Sequence, residues 1–253
     1  MKKIDYHNKT YIELSPQESV LLNAVEPFTL FSVQEIKRIT GWKQPRISNV
    51  LSSLKKKKIV VALRKNSYVL SAKIPENIWM IATSMAAPAY ISFWSACSYY
   101  GLTEQQTSAI QIVSTKQFPR FRIRNTQVEI TTYQPQRFYG YRRIQNFAIA
   151  EIEKLLIDCL YQPEKVGGIA ELKKCLRQAW PTIAKNKFKA YLHRFNNRSL
   201  YARAGYLLEE LRLLPPNEKK FFLRQLPSGY VRLNPSKKPG QKYNTTWRIY
   251  IND

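Results

Sequence analysis

The chain has 253 residues, 44% of them hydrophobic and 13% aromatic, enough to bury real cores and too much for a disordered polyelectrolyte. Its 41 Lys+Arg against 17 Asp+Glu leave a net charge of +24, which points to a polyanionic partner, nucleic acid before an anionic membrane surface. Three scattered cysteines with no CxxC pair, and only His7 and His193 as histidines, exclude a disulfide framework and a spaced zinc motif and make a reducing cytoplasm the expected compartment.

Fourteen basic and five acidic residues fall in 1–73, seven and three in 74–150, and twenty and nine in 151–253. Two basic surfaces around a less charged middle are therefore expected, not one charged tail. The opening MKKIDYHNK is charged but leads into no apolar run, so no signal peptide is expected.

The first helix is announced by Ser15-Pro16-Gln17-Glu18, which offers an N-cap serine, proline at the first helical position and glutamate three residues after the cap. Val20, Leu21, Leu22, Ala24 and Val25 supply its apolar residues. Ser32-Val33-Gln34-Glu35 repeats the capping signal for a short helix with Val33, Ile36 and Ile39 inward, closed by Gly41. A third helix starts near Lys43 with Pro45 in its first turn and runs into Lys55, Lys56, Lys57 and Lys58. Residues 59–63 and 67–70 read as strands joined at Arg64-Lys65-Asn66. This order is that of a winged helix-turn-helix over 1–73.

On the third helix, Ile47, Val50, Leu51 and Leu54 form a packing face, leaving Gln44, Arg46, Ser48, Asn49, Ser52 and Ser53 outward. Arginine can bind guanine N7 and O6 bidentately, and glutamine or asparagine can do the same for adenine. Gln44, Arg46 and Asn49 are thus the base-reading candidates, Lys43 and Ser48 the phosphate contacts, and Arg64 and Lys65 a wing suited to phosphate or the minor groove. The four lysines complement the helix C-terminus and add attraction without sequence information.

Residues 73–76, with Pro75, read as a linker to a larger second domain over 74–253. No charged residue occurs from Asn77 to Thr103, yet Pro88 and several serines interrupt the run, so buried core helices are expected and no membrane span. Residues 78–85 and 90–100 read as those helices, the second ending at Gly101. Residues 110–114, 121–124 and 128–132 suggest a small antiparallel sheet within 74–145. From 146 onward the pattern is helical: a stripe of Ile152, Leu155, Leu156, Cys159 and Leu160 ends at Gln162-Pro163, and helices follow near 169–179, 182–195 and 199–213. Strands at 230–233 and 246–251 close the chain. The expected class is α+β.

Within 185–203, Phe188, Tyr191, Leu192 and Phe195 form a core face, while Lys185, Lys187, Lys189, Arg194, Arg198 and Arg203 outline a candidate second basic surface. No catalytic, metal or cofactor signature is present: there is no GxxxxGK[ST], GxGxxG or GxSxG. Glu151/Glu153 lie two apart on a helix and so do not share a face, and Glu209/Glu210 are adjacent. Glu35-Ile36-Lys37 has the letters of a nuclease motif, but Glu35 is already a capping residue. An enzyme is not expected.

Tyr90-Ile-Ser-Phe-Trp-Ser-Ala-Cys-Ser-Tyr-Tyr-Gly-Leu-Thr103 resembles the signature of the AbiEi family, antitoxins and transcriptional regulators of AbiE-type (type IV) toxin–antitoxin systems. Phe138-Tyr-Gly-Tyr141, Ile149-Ala-Glu-Ile-Glu-Lys-Leu-Leu-Ile-Asp158 and Ala204-Gly-Tyr-Leu-Leu-Glu209 extend the resemblance in order along the chain. Cys97 stands where the pattern has leucine, a packing substitution. The resemblance implies an autorepressor whose winged helix binds inverted repeats of double-stranded operator DNA, as a monomer able to bind cooperatively. It also implies a C-terminal antitoxin domain that counteracts a nucleotidyltransferase toxin without having to bind it. A solitary winged-helix regulator and an RNA-binding module are the alternatives.

Overall fold

The computed structural model describes residues 3–4, 12–105 and 107–253; His7 and most of the charged opening stretch lie outside them. Two compact units, Met1–Ile81 and Ala82–Asp253, divide the chain inside a helix and not at 73/74.

In the first unit, β1 (Lys3–Ile4) pairs antiparallel with β2 (Ile12–Glu13), and α1 (Pro16–Val25), α2 (Val33–Thr40) and α3 (Gln44–Lys56) follow. Both predicted capping boxes form: Ser15 N–H donates to Glu18 at 2.7 Å and Ser32 N–H to Glu35 at 2.6 Å. Gly41 takes φ 70°, the left-handed cap that glycine adopts without a Cβ clash, and its N–H donates to the Lys37 carbonyl. Leu21, Val25, Ile36, Ile47, Leu51 and Leu54 fill the space among the three helices. Ile39 departs from expectation: in the last turn of α2 it remains 44% exposed.

The hairpin β3 (Val60–Arg64) and β4 (Ser67–Leu70) turns through Lys65-Asn66. Phe31 adds a bridge to it, exchanging backbone hydrogen bonds of 3.0 and 2.9 Å with Tyr68. The expected linker is instead helical. Ser71–Lys73 form a 3-10 turn and α4 (Ile74–Met85) starts at once, with Pro75 in a first turn where its missing N–H costs nothing.

The second unit is also α+β. Its strands are β5 (Ala89–Ile91), β6 (Ala109–Ser114), β7 (Phe121–Ile123), β8 (Thr126–Thr132), β9 (Tyr141–Ile144) and β10 (Phe147–Ala150). They form a mixed sheet in the order β7-β8-β6-β5-β10-β9, with β6–β8 and β5–β10 parallel. The small antiparallel sheet expected from sequence is thus corrected to six strands, mixed. Tyr90 and Ile91, expected in a helix, are fully buried sheet residues after Pro88; a short apolar run bounded by proline suits either structure. Only α5 (Phe93–Tyr99) is helical there, and the Leu102 N–H to Cys97 carbonyl bond at 2.8 Å closes it through Gly101.

The remaining helices are α6 (Ile152–Tyr161), α7 (Ile169–Ala179), α8 (Lys185–Phe195), α9 (Arg198–Glu210) and α10 (Pro216–Leu223). Helix α6 is buried on nearly every side and packs against α5, α7, α8 and α9. It therefore buries charge. Lys154 and Asp158 are ion-paired at 0% exposure, and Asp158 also accepts from the Ser92 hydroxyl at 2.8 Å and the Tyr90 hydroxyl at 3.1 Å. The rings of Tyr90, Tyr133, Tyr139 and Phe195 lie 5.0–5.4 Å from the Lys154 ammonium. Burial pushes the Lys154 pKa down, and Asp158 opposes that shift.

The three cysteines, distant in sequence, meet in this core. Cys97 Sγ lies 4.0 Å from Cys159 Sγ and 3.8 Å from Cys175 Sγ, all as free thiols.

A three-stranded sheet ends the chain: β11 (Val231–Arg232), β12 (Lys242–Asn244) and β13 (Ile249–Ile251), in the order β11-β13-β12. It is fixed on α9 through Trp247. A Cβ on Gly205 would lie 2.0 Å from the Trp247 ring, so only glycine permits this approach. Among the described residues, no helix is long and apolar enough to cross a membrane.

Candidate nucleic-acid interface

Helix α3 separates its two faces as its spacing predicts. Ile47, Val50, Leu51 and Leu54 are buried, whereas Lys43, Gln44, Arg46, Ser48 and Asn49 are all exposed at the helix opening. Lys43 is the N-cap but provides no side-chain cap, so the first-turn amides of α3 lack the partner that serine gives those of α1 and α2.

One residue that the sequence reading passed over organises this face. Trp42 lies half-buried against the three-helix core, and the Arg46 guanidinium sits 4.2 Å from the centre of its ring. Stacking uses the flat face of the guanidinium and leaves its N–H edges available. Trp42 precedes the N-cap of α3, so helical spacing does not announce the contact; an aromatic residue four before an arginine was the available signal.

The lysine run is not uniform. Lys55, Lys56 and Lys58 are exposed. Lys57 turns inward instead: its ammonium donates to the Glu18 carboxylate and to the Glu13 carbonyl, each at 2.7 Å. Ser53, expected outward, donates to the other Glu18 oxygen at 2.7 Å. Burial alone would raise the Glu18 pKa, but Lys57, the Ser15 amide and the Ser53 hydroxyl hold it at about 2. The reading of Lys57 as a phosphate contact is therefore corrected to an internal ion pair between α1 and the end of α3.

Arg64 and Lys65 are exposed at the tip of the hairpin. The neighbouring Asn66 fastens that tip: its side-chain oxygen accepts from the Val33 N–H at 2.9 Å and its amide donates to Gln34. The wing and the start of α2 are thus one piece.

The candidate surface on α8 and α9 does not come together as expected. Lys187 pairs with Glu151 at 3.1 Å and Glu153 at 3.6 Å, and Lys189 with Glu218 at 3.1 Å. Lys185 donates to the Trp180 carbonyl at 3.4 Å. Arg203 is buried, its guanidinium donating to the carbonyls of Arg232 at 2.9 Å and Leu160 at 3.3 Å. Arg194 and Arg198 stay exposed with no acidic partner among the described residues, and Arg194 lies over the Tyr139 ring at 4.3 Å. Helical spacing revealed which residues shared a strip of α8 but not the acids of α6 and α10 that face it.

The fold has a solved counterpart. The crystal structure of the RV2827C protein from Mycobacterium tuberculosis matches with a TM-score of 0.68 at 14% sequence identity, over 94% of this chain and 92% of that one. At that identity the likeness is one of fold. No family model and no curated protein matches the sequence.

Proposed function

We propose that this chain is a transcriptional autorepressor that reads inverted repeats in double-stranded operator DNA, and the antitoxin of a type IV toxin–antitoxin pair. The observation that carries the DNA reading is the exposed opening of α3, where Gln44, Arg46 and Asn49 project beside one another and Arg46 is pre-positioned on Trp42. In a winged helix-turn-helix these turns enter the major groove, where a bidentate arginine–guanine contact contributes about 1–3 kcal/mol of discrimination. Lys55, Lys56 and Lys58, with Lys65 on the wing, add phosphate attraction that carries no sequence information. The antitoxin role rests on the AbiEi-like motifs between Tyr90 and Glu209, which imply a nucleotidyltransferase opponent and no obligatory complex with it. The chain itself acts by binding, without catalysis or cofactor, in the cytoplasm.

Binding to the chain's own promoter, measured against a scrambled duplex of equal length, tests this. Arg46→Ala should lose about tenfold or more on the specific site while barely changing the scrambled one. Equal affinity of the unaltered protein for the two duplexes would overturn it. The antitoxin part fails if co-expression does not rescue growth from the neighbouring nucleotidyltransferase.

A further inference from the structure

From Lys219 to Asn252 the sequence holds eight basic residues and no acidic one. The small sheet built there shows what accompanies this charge. Leu233, Trp247 and Ile249 are buried, each 0% exposed, whereas Tyr230, Arg232, Tyr243 and Arg248 are exposed and Tyr250 is partly so; Trp247 and Arg248 belong to the turn that leads into β13.

Register sets these side chains in rows. Arg232 on β11 is paired with Tyr250 on β13, and Tyr250 with Tyr243 on β12. Arg248, the turn residue just before β13, accepts at its carbonyl from the Val231 N–H at 2.9 Å, next to Tyr230 just before β11, so arginine and tyrosine are neighbours at this end of the sheet. Tyr243 is 59% exposed and Tyr230 40% exposed, unusual for large rings on a surface. Tyr230 stands between the other two, its ring centre 5.6 Å from that of Tyr243 and 5.3 Å from that of Tyr250. Arg232 and Arg248 are braced by backbone carbonyls of Lys237 at 3.0 Å and Pro227 at 2.6 Å, and no acidic side chain among the described residues neutralises them. A shallow cleft of about 340 Å³, lined by Tyr230, Tyr250, Arg232 and Pro239, opens beside the rings.

We infer that this face is a stacking platform for an unpaired polynucleotide strand. Exposed rings on a sheet, interleaved with arginines and bordered by Lys237, Lys238 and Lys242, match the two repeating features of a single strand: bare base faces and one phosphate per nucleotide. A duplex buries its base faces within its own stack and offers the tyrosines nothing. An acidic protein or a lipid headgroup would use the charges but leave the rings without a partner. This site is independent of α3 and of the operator reading.

The test is fluorescence anisotropy with the full-length protein and labelled 12-nucleotide probes: single-stranded DNA, single-stranded RNA of the same sequence, the DNA duplex, and an abasic strand of equal charge. Single strands should bind more tightly than the abasic strand, and the DNA–RNA difference reports whether the 2′-hydroxyl is read. Tyr243→Ala with Tyr250→Ala should weaken single-strand binding on the order of a hundredfold, since each stacked ring is worth about five- to a hundredfold. Tyr243→Phe with Tyr250→Phe should retain it, which separates stacking from loss of fold. Replacing Lys237, Lys238 and Lys242 with glutamine should lower the salt slope by up to about 0.7 per lost phosphate contact. Arg46→Ala should leave all of this unchanged. The inference is overturned if the alanine pair binds single strands as well as the unaltered protein, or if the abasic strand binds as well as the single strands; duplex binding that the alanine pair leaves unchanged belongs to α3 and not to this face.

Discussion

Replacing Glu18 with glutamine removes one charge from the 3%-exposed junction of α1 and α3 while keeping the side chain's size. In the folded chain that carboxylate accepts from Lys57, Ser53 and the Ser15 amide, each at 2.7 Å, and its pKa stands at about 2 against an ordinary 4.5. At about 1.4 kcal/mol per pH unit this corresponds to about 3.5 kcal/mol, trimmed to about 2–3 because the Lys57 side chain is 30% exposed and screened. The folded pKa is depressed, so the contribution is complete above pH 4.5 and is lost as pH falls towards 2. Glu18→Gln should therefore destabilise the first unit by about 2–3 kcal/mol at pH 7, and the gap to the unaltered protein should close progressively from pH 4.5 downward. Urea titrations followed by NMR on the Leu21, Ile47 and Leu51 amides would isolate this unit from the rest of the chain. A gap below about 0.5 kcal/mol at pH 7, ordinary for a surface substitution, would refute the reasoning. So would a gap that stays constant down to pH 2.5.

Two further outcomes follow from the second unit. Asp158→Asn strands the Lys154 ammonium inside its cage of rings and should cost about 3–5 kcal/mol in a denaturant titration, whereas the pair of changes Lys154→Met and Asp158→Leu should cost much less; equal losses would mean the two charges do not act together. Hydrogen bonding to a neighbouring sulfur leads the upward pKa shift at Cys97 and Cys175, and burial leads it at Cys159, so all three thiols should resist a disulfide reagent at pH 8 and react together on unfolding. Release of one thiol equivalent from the folded protein would contradict this.

The first unit was largely legible because its signals are local. Ser15 and Glu18, Ser32 and Glu35, and Gly41 act within a few residues of themselves, and the spacing of Ile47, Val50, Leu51 and Leu54 is set by one helix. What failed there were Ile39, left exposed at the end of α2, and Lys57 and Ser53, whose shared partner Glu18 lies far away in sequence, thirty-nine residues from Lys57. In the second unit the helices from Ile152 to Glu210 were readable, but α10, β9 and β10 were not: Tyr141-Arg142-Arg143, for one, is an exposed edge strand with no alternation to detect. The same limit explains the misplaced basic surface. Helical spacing located Lys187 and Lys189, but only tertiary packing brings Glu151, Glu153 and Glu218 against them. The cysteine contact and the Lys154 cage likewise join residues that no motif connects.

The bond from Asn66 to the start of α2 bears on how this unit would engage a partner. A free hairpin samples many orientations, and seating it on a surface costs the entropy of ordering it, about 0.5–1.5 kcal/mol for each mobile side chain alone. With Asn66 held by Val33 and Gln34, and Phe31 bridged to Tyr68, that ordering is already complete on folding. If the proposed DNA reading holds, Arg64 and Lys65 would meet the duplex as parts of a rigid body, and loosening Asn66 would weaken binding without removing any contact the duplex makes.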